Sequence, residues 1–302
     1  MTMEGKIFSS KILLFGEYLL LCGAKALSIP FKKYSGHFTY SAQPTESNKS
    51  LVKFLDYLKT INEQIKLNLT AFETDIRQGL TFQSNIPHGY GLGSSGSLSA
   101  AVYDRYAVDK IPNTTTSKAQ IKELKTLFGL MESFFHGKSS GLDPLISYLK
   151  EPVLVEGADS IHKVALPHLS ENPVSVFLLD YGQSGDTGPL VQEFISRCAN
   201  DPFKKRIEKE MIPVNNQCID HFLEGNLTGC LPCVKQLSAY TAELFQKMIP
   251  EKLLDAWMHG IKSDDYYLKL CGSGGGGMVL GFTHDLEKAK KLLKPYPIET
   301  VF

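Results

Sequence analysis

The stretch Pro87-His88-Gly89-Tyr90-Gly91-Leu92-Gly93-Ser94-Ser95-Gly96-Ser97 constrains this chain more than any other. Glycines at three alternate positions let backbone N–H groups turn inward through φ values that other residues avoid. Small hydroxyl residues follow, then Leu98-Ser99-Ala100-Ala101-Val102-Tyr103, which can continue as helix. A helix starting there adds its unpaired first amides and the positive end of its dipole to the same spot. Such a nest suits a phosphate. It is not a Walker A loop, because no Gly-Lys-Ser/Thr closes it, and it is not read as the phosphate turn of a Rossmann unit. A Gly/Ser stretch also serves as an ordinary turn, so its meaning depends on the rest of the chain.

A chain of 302 residues can bury a substantial core and is long enough for two domains. Lys plus Arg and Asp plus Glu both total 32, a balance that argues against a nucleic-acid partner or a general affinity for membranes. The apolar runs Ile12-Leu13-Leu14-Phe15 and Leu19-Leu20-Leu21-Cys22 are split by Gly16-Glu17-Tyr18 and do not reach bilayer length. The N-terminus shows no basic segment followed by an apolar stretch and a cleavage site, so a cytoplasmic location is expected. The six cysteines are scattered except for Cys230-Leu231-Pro232-Cys233 and are expected to stay reduced. That pair lacks both a thioredoxin-like setting and a second pair to complete a zinc site.

Lys6 to Ser9, Lys11 to Phe15 and Tyr18 to Leu21 read as strands turning at Gly16-Glu17, and Tyr34 to Ala42 as a half-solvated strand. Leu51, Phe54, Leu55, Leu58, Ile61 and Ile65 recur at helical spacing. Phe72 to Ile76 and Leu80 to Ile86 read as strands, the second delivering the chain into the glycine loop. Ser117-x-x-Gln120 resembles a capping box before a helix with Ile121, Leu124, Phe128, Met131 and Phe135 on one face. A boundary is expected near Val155 to His168. Beyond it come a buried strand at Val174 to Leu179 and helical material punctuated by Pro202, Pro213, Pro232 and Pro250. Leu268 to Phe282 reads as strand, glycine loop and strand, Asp285 to Leu293 as helix, and Ile298 to Phe302 as a last strand. Strands and helices mix without strict alternation, so the fold class is α+β.

Four segments carry the chemistry. Lys11 heads an apolar strand, where an edge cation is the ordinary explanation unless an acidic partner stands nearby. The glycine loop is the second. In the third, Glu132-x-x-x-His136-Gly137-Lys138-Ser139-Ser140-Gly141-Leu142-Asp143-Pro144, Glu132 borders the buried face of its helix and Asp143 follows a Gly/Ser turn. The fourth, Cys271-Gly272-Ser273-Gly274-Gly275-Gly276-Gly277, would loosen any fold unless backbone must approach something closely.

In this order and at this separation the four segments resemble the GHMP small-molecule kinases, named after galactokinase, homoserine kinase, mevalonate kinase and phosphomevalonate kinase. The resemblance runs from Lys11 to Gly277. It implies an α+β GHMP kinase fold, with an N-terminal ATP-binding domain (ribosomal-protein-S5-domain-2-like) over 1–165 and a C-terminal ferredoxin-like domain over 166–302. It also implies phosphorylation of a small-molecule alcohol with ATP and Mg²⁺, by a monomer or homodimer. Pro87, Gly89, Gly91, Leu92, Gly93, Ser94, Ser95, Gly96 and Ser97 would bind ATP, and Ser95 and Glu132 would hold Mg²⁺, which takes few protein oxygens. Asp143 would accept or orient the acceptor proton, and Lys11 would pair with it, keep it ionised and offset charge on the transferring phosphoryl group. Glu17, Tyr18, His136, Asp143, Thr187, Gly272, Ser273 and Gly274 would face the acceptor, Glu17 as a brace and the glycine amides toward a substrate carboxylate.

Within the family, His136 to Asp143 looks most like the mevalonate kinase branch, which implies mevalonate as acceptor. Homoserine kinases lack the equivalent aspartate. Phosphomevalonate kinase is the alternative, with Lys32-Lys33 or Lys138 as the extra cations it requires. A non-catalytic nucleotide-binding member is the alternative of another class, and the intact set Lys11, Ser95, Glu132 and Asp143 speaks against it. The chain departs from the family at Ser9-Ser10, where Pro-Gly is usual, and at Gly96-Ser97, where Ala-Ala is common and glycine loosens the helix start. Tyr18, Pro144 and Ser273 are further departures, and the resemblance implies that these three touch the acceptor pocket.

Overall fold

Strand β1 (Phe8–Phe15) turns through Gly16 into the long strand β2 (Lys25–Tyr40), and this antiparallel pair frames the first half of the molecule. The computed structural model describes residues 5–43, 45–157, 160–169, 172–185 and 187–302. β2 also pairs with β3 (Leu80–Ser84) and β4 (Val153–Glu156), and β5 (Ser160–Lys163) adds to β4. Shifts of register at Ser9/Ser10 and Leu13/Phe15 bracket the regular middle of β1. There the side chains alternate. Ile12 and Leu14 join a core shared with the second half, while Leu13 packs on the helix side and Lys11 points the same way, toward Gly93. Serines tie down the irregular end: Ser10 Oγ donates to the Phe31 carbonyl at 2.7 Å and Ser147 Oγ to that of Ser9 at 2.8 Å.

Helices α1 (Glu46–Ile65), α2 (Leu69–Arg77), α3 (Ser94–Tyr106), α4 (Lys118–His136) and α5 (Leu142–Leu149) cover that side, α3 and α5 lying against β1 and β2. In the second half, β6 (Ser175–Asp180), β7 (Tyr267–Leu270), β8 (Met278–Thr283) and β9 (Ile298–Thr300) form an antiparallel sheet in the order β7-β8-β6-β9. Between β6 and β7 run α6 (Thr187–Cys198), α7 (Asp201–Arg206), α8 (Ile212–Leu223), α9 (Leu227–Leu244) and α10 (Leu254–Ser263), and α11 (Leu286–Leu292) precedes β9. A helical excursion on each side of the β7–β8 hairpin makes this half ferredoxin-like. Among the described residues no helix is long and apolar enough to cross a membrane.

Three expectations are corrected. Tyr18 to Leu21 is not a strand: Leu19–Cys22 is a 3-10 turn, entered through Tyr18 at φ +61°. Phe72 to Ile76 is helical, within α2, because Asn68 caps it by accepting from the Ala71 amide at 3.0 Å. Phe72 and Ile76 are then one helical turn apart and both buried, while Thr74 between them is exposed. Pro232 does not break its helix but sits inside α9. The expected penalty of about 3 kcal/mol is outweighed by burial of Cys230, Leu231, Cys233, Val234 and Leu237 around it. Those buried thiols donate to backbone carbonyls, Cys230 to Cys218 and Cys233 to Gly229.

Candidate active site

The glycine loop runs from β3 to α3 along a cleft of about 730 Å³. Gly89, Gly91 and Gly93 take φ of +74°, +72° and +77°, values that glycine adopts without strain. Gly93 is the N-cap of α3 and, as a glycine, offers no side chain to cap it, and Ser94 and Ser95 line the cleft. The arrangement is an anion nest backed by a helix dipole. The loop is fixed on two sides. The Lys11 amide donates to the Leu92 carbonyl at 3.0 Å, tying it to β1, and the Met278 amide donates to the Tyr90 carbonyl at 3.3 Å. A Cβ on Gly91 would collide with the Cys271 carbonyl, so the two glycine stretches pack backbone to backbone. Gly91→Ala should therefore lower stability by more than about 1 kcal/mol and weaken nucleotide binding. Thermal melting and a nucleotide titration check both.

Lys11 reaches into the cleft from β1, and its Nζ lies 3.1 Å from Asp143 Oδ1 in the first turn of α5. The lysine side chain is 4% exposed and the aspartate 32%. Burial alone would pull the Lys11 ammonium down, but Asp143, with Cys271 and Glu132, holds it above its ordinary value, so it is charged at neutral pH. Close approach of α3 to α5 sets this geometry: a Cβ on Gly96 would lie 2.9 Å from that of Asp143. Glycine at 96 is thus a packing requirement, not a loosened helix start.

Glu132, on α4, is 4% exposed and bound at both oxygens. Ser95 Oγ donates to Oε1 at 3.0 Å and Ser139 Oγ to Oε2 at 2.5 Å. Burial, then the charge of Asp143, push the carboxyl up to about 8, against the pull of Ser139, Ser95 and Lys11. The donor set suits Mg²⁺: one hydroxyl and one carboxylate beside an anion nest, the remaining ligands coming from phosphate and water. Among the described residues no group of three His, Cys, Asp or Glu side chains could cage a metal by itself.

The raised value has a measurable consequence in metal-free protein. Folded protein keeps a proton on Glu132 up to about 8, whereas the unfolded chain loses it near 4.5. Stability from this group is therefore present at low pH and lost as pH rises through that window. Glu132→Gln has no such proton to lose, so its Tm should rise relative to wild type from pH 5 to pH 8, each ~1 kcal/mol being worth about 2–4 °C. A difference in Tm that does not change with pH would contradict this assignment.

The remaining sequence candidates divide. Pro87, Gly89, Gly91, Leu92, Gly93, Ser94, Ser95, Gly272 and Ser273 line the cleft with Lys11, Glu132 and Asp143. Gly96, Ser97 and Gly274 lie behind it: Ser97 is fully buried with its hydroxyl on the Phe8 carbonyl at 3.0 Å, and Gly274 packs against Met248 and Leu270. Glu17 and Tyr18 line a separate small pocket. Glu17 accepts from Lys269 Nζ at 2.6 Å, both side chains being nearly buried, and burial pushes its carboxyl up despite that lysine. Tyr18 donates its hydroxyl to the Ser273 carbonyl and packs its ring on Phe194 and Phe245. Both residues brace the cleft wall from behind. The side chains of His136 and Thr187 lie outside the described part of the structure.

Sequence reasoning overlooked Ser139 on Glu132, Lys269 on Glu17, and His88, whose Nδ1 lies 3.2 Å from Ser94 Oγ. A lysine inside the apolar strand Tyr267–Leu270 was a usable signal for a buried partner. Nothing in the spacing distinguished Ser139 from a plain turn serine. The lining by Ser47, Phe82, Leu98 and Phe135 comes from four separate elements, α1, β3, α3 and α4, which no local pattern joins.

Residues 52–151 match the GHMP kinases N terminal domain. The mevalonate kinase of Pyrococcus abyssi is 30% identical over 207 residues, covering 60% of this chain and 58% of that protein, so the match spans little more than half of that relative. The mevalonate kinase of Methanocaldococcus jannaschii is 25% identical over 315 residues, covering 97% of this chain and 95% of the relative. Among solved structures, Streptococcus pneumoniae phosphomevalonate kinase in complex with phosphomevalonate and AMPPNP matches with a TM-score of 0.65 at 16% identity, over 99% of this chain and 100% of that one. The structural likeness is one of fold.

Proposed function

We propose, for a chain that belongs to the GHMP kinase family, that it transfers the terminal phosphoryl group of ATP to a hydroxyl of mevalonate. The observation that carries the reading is the 3.1 Å pair of Lys11 and Asp143, set in the same cleft as the glycine loop, Ser95 and Glu132. Phosphoryl transfer asks little covalent chemistry of a protein and depends on placement and charge. The glycine loop and the start of α3 would cradle the phosphates, and Phe82, Leu98 and Phe135 give the cleft apolar faces for a base. Mg²⁺, held by Ser95 and Glu132, would supply charge neutralisation of the triphosphate. Asp143 takes the proton of the acceptor hydroxyl as its oxygen attacks phosphorus. Lys11 balances the charge that grows on the transferring group.

Phosphomevalonate is the second acceptor reading, favoured by Lys138, a cation that lines the cleft. Lys33 is engaged by Glu299, and neither it nor Lys32 lines the cleft. Incubation with Mg-ATP and, separately, mevalonate, phosphomevalonate, galactose and homoserine decides between them. ADP release with mevalonate is the expected result. Release with phosphomevalonate alone moves the acceptor, and release with none of the four refutes the kinase reading.

A further inference from the structure

We propose that Ser139 is the positioning residue of the Glu132 carboxylate, the side chain that holds it in the orientation needed for metal-nucleotide binding. The inference rests on the kinase reading above and concerns a residue that reading leaves without a role. Ser139 Oγ donates to Glu132 Oε2 at 2.5 Å, while the Gly141 amide donates to the same Oγ at 3.1 Å. One incoming and one outgoing bond leave the hydroxyl no freedom to rotate away. The Ser139 amide in turn donates to Ser133 Oγ at 3.4 Å, and Ser133 Oγ donates to the Gly129 carbonyl at 2.7 Å, which closes the chain of bonds back onto α4.

The backbone is shaped for this contact. Gly129 sits inside α4, where glycine is disfavoured by about 1 kcal/mol, and a Cβ there would lie 3.2 Å from the Ser139 carbonyl. Gly141 takes φ +71°, and a Cβ on it would strike the Lys125 carbonyl. Two glycines therefore bring the loop down onto α4 until the Ser139 hydroxyl meets Glu132. Gly141 is also the N-cap of α5, so the amide that orients Ser139 stands two residues before Asp143. One serine thereby links the metal-side carboxylate to the start of the helix carrying the proton acceptor.

Division of labour between the two serines follows from their places. Ser95 belongs to the nest and, in the kinase reading, is itself a metal ligand. Ser139 has no such second duty, so it keeps Glu132 oriented whether or not the site is loaded. Partners that orient a metal ligand typically contribute 10–100-fold to metal affinity.

The test compares wild type, Ser139→Ala and Ser139→Thr. It reads Mn²⁺ binding in the presence of a non-hydrolysable ATP analogue by electron paramagnetic resonance, with binding of the metal-free analogue and the Tm as further readouts. Ser139→Ala should weaken Mn²⁺ binding by about 10-fold or more, leave the metal-free analogue binding as wild type does, and melt within a few degrees of it. Ser139→Thr, which keeps the hydroxyl, should restore Mn²⁺ binding. Equal Mn²⁺ affinity in wild type and Ser139→Ala overturns the inference alone. Absence of analogue-dependent Mn²⁺ binding in the wild type itself overturns the kinase reading and the inference with it.

Discussion

Asp143→Asn should bind ATP as the wild type does and turn over at least about a hundredfold more slowly, the scale of a positioned proton acceptor. Asparagine matches the aspartate in size, so α5 and the contact with Gly96 survive. What it removes is the negative charge 3.1 Å from the buried Lys11 ammonium. An unpartnered buried ammonium destabilises the fold, so the variant should also melt below wild type. The double variant Lys11→Met/Asp143→Asn separates the two effects: its Tm should recover and its turnover should not. Single-turnover kinetics with calorimetric measurement of nucleotide affinity give both numbers, and near-normal turnover of Asp143→Asn would remove this residue from the chemistry.

Lys11→Met should lower kcat by about 10²–10³-fold, the effect of removing one preorganised group that meets charge developing in the transition state. Because the lysine side chain is only 4% exposed, removing its charge relieves a desolvation cost. The variant should therefore fold at least as stably as wild type while losing turnover. A parallel fall in kcat and kcat/KM with an unchanged nucleotide Kd would place the loss in the transition state. A rise in the nucleotide Kd with kcat intact would instead make Lys11 a ground-state phosphate contact.

The parts of this site legible in the sequence are those that backbone chemistry dictates. Alternate glycines running into a helix fit an anion nest, and Gly89, Gly91 and Gly93 all adopt positive φ. The apolar strand headed by Lys11 and the amphipathic helix face that Glu132 borders likewise follow from local patterning. Legibility failed where tertiary contacts chose between local options. Phe72 and Ile76 fit both a strand and a helix, and the Asn68 cap decided for the helix. Pro232 carries a breaker signal that burial overrode. Glu17 and Tyr18 are expected at the acceptor because the family resemblance places them there. The turn at Gly16 and the positive φ of Tyr18 send them behind the wall, to Lys269 and Ser273, more than two hundred residues away in sequence. Ser139 shows the same limit, since its value lies in the close approach of its loop to α4, set by Gly129 and Gly141.

The central claim is that Lys11, Asp143, Ser95 and Glu132 act on one alcohol beside one triphosphate. A crystal structure with Mg²⁺, a non-hydrolysable ATP analogue and mevalonate tests it most directly. The account predicts the acceptor hydroxyl within hydrogen-bond reach of the Asp143 carboxylate, roughly 3 Å, the phosphates on the amides of residues 91–95, and the ion on Ser95 and Glu132. An acceptor bound away from Asp143, or phosphates outside the glycine loop, would contradict it.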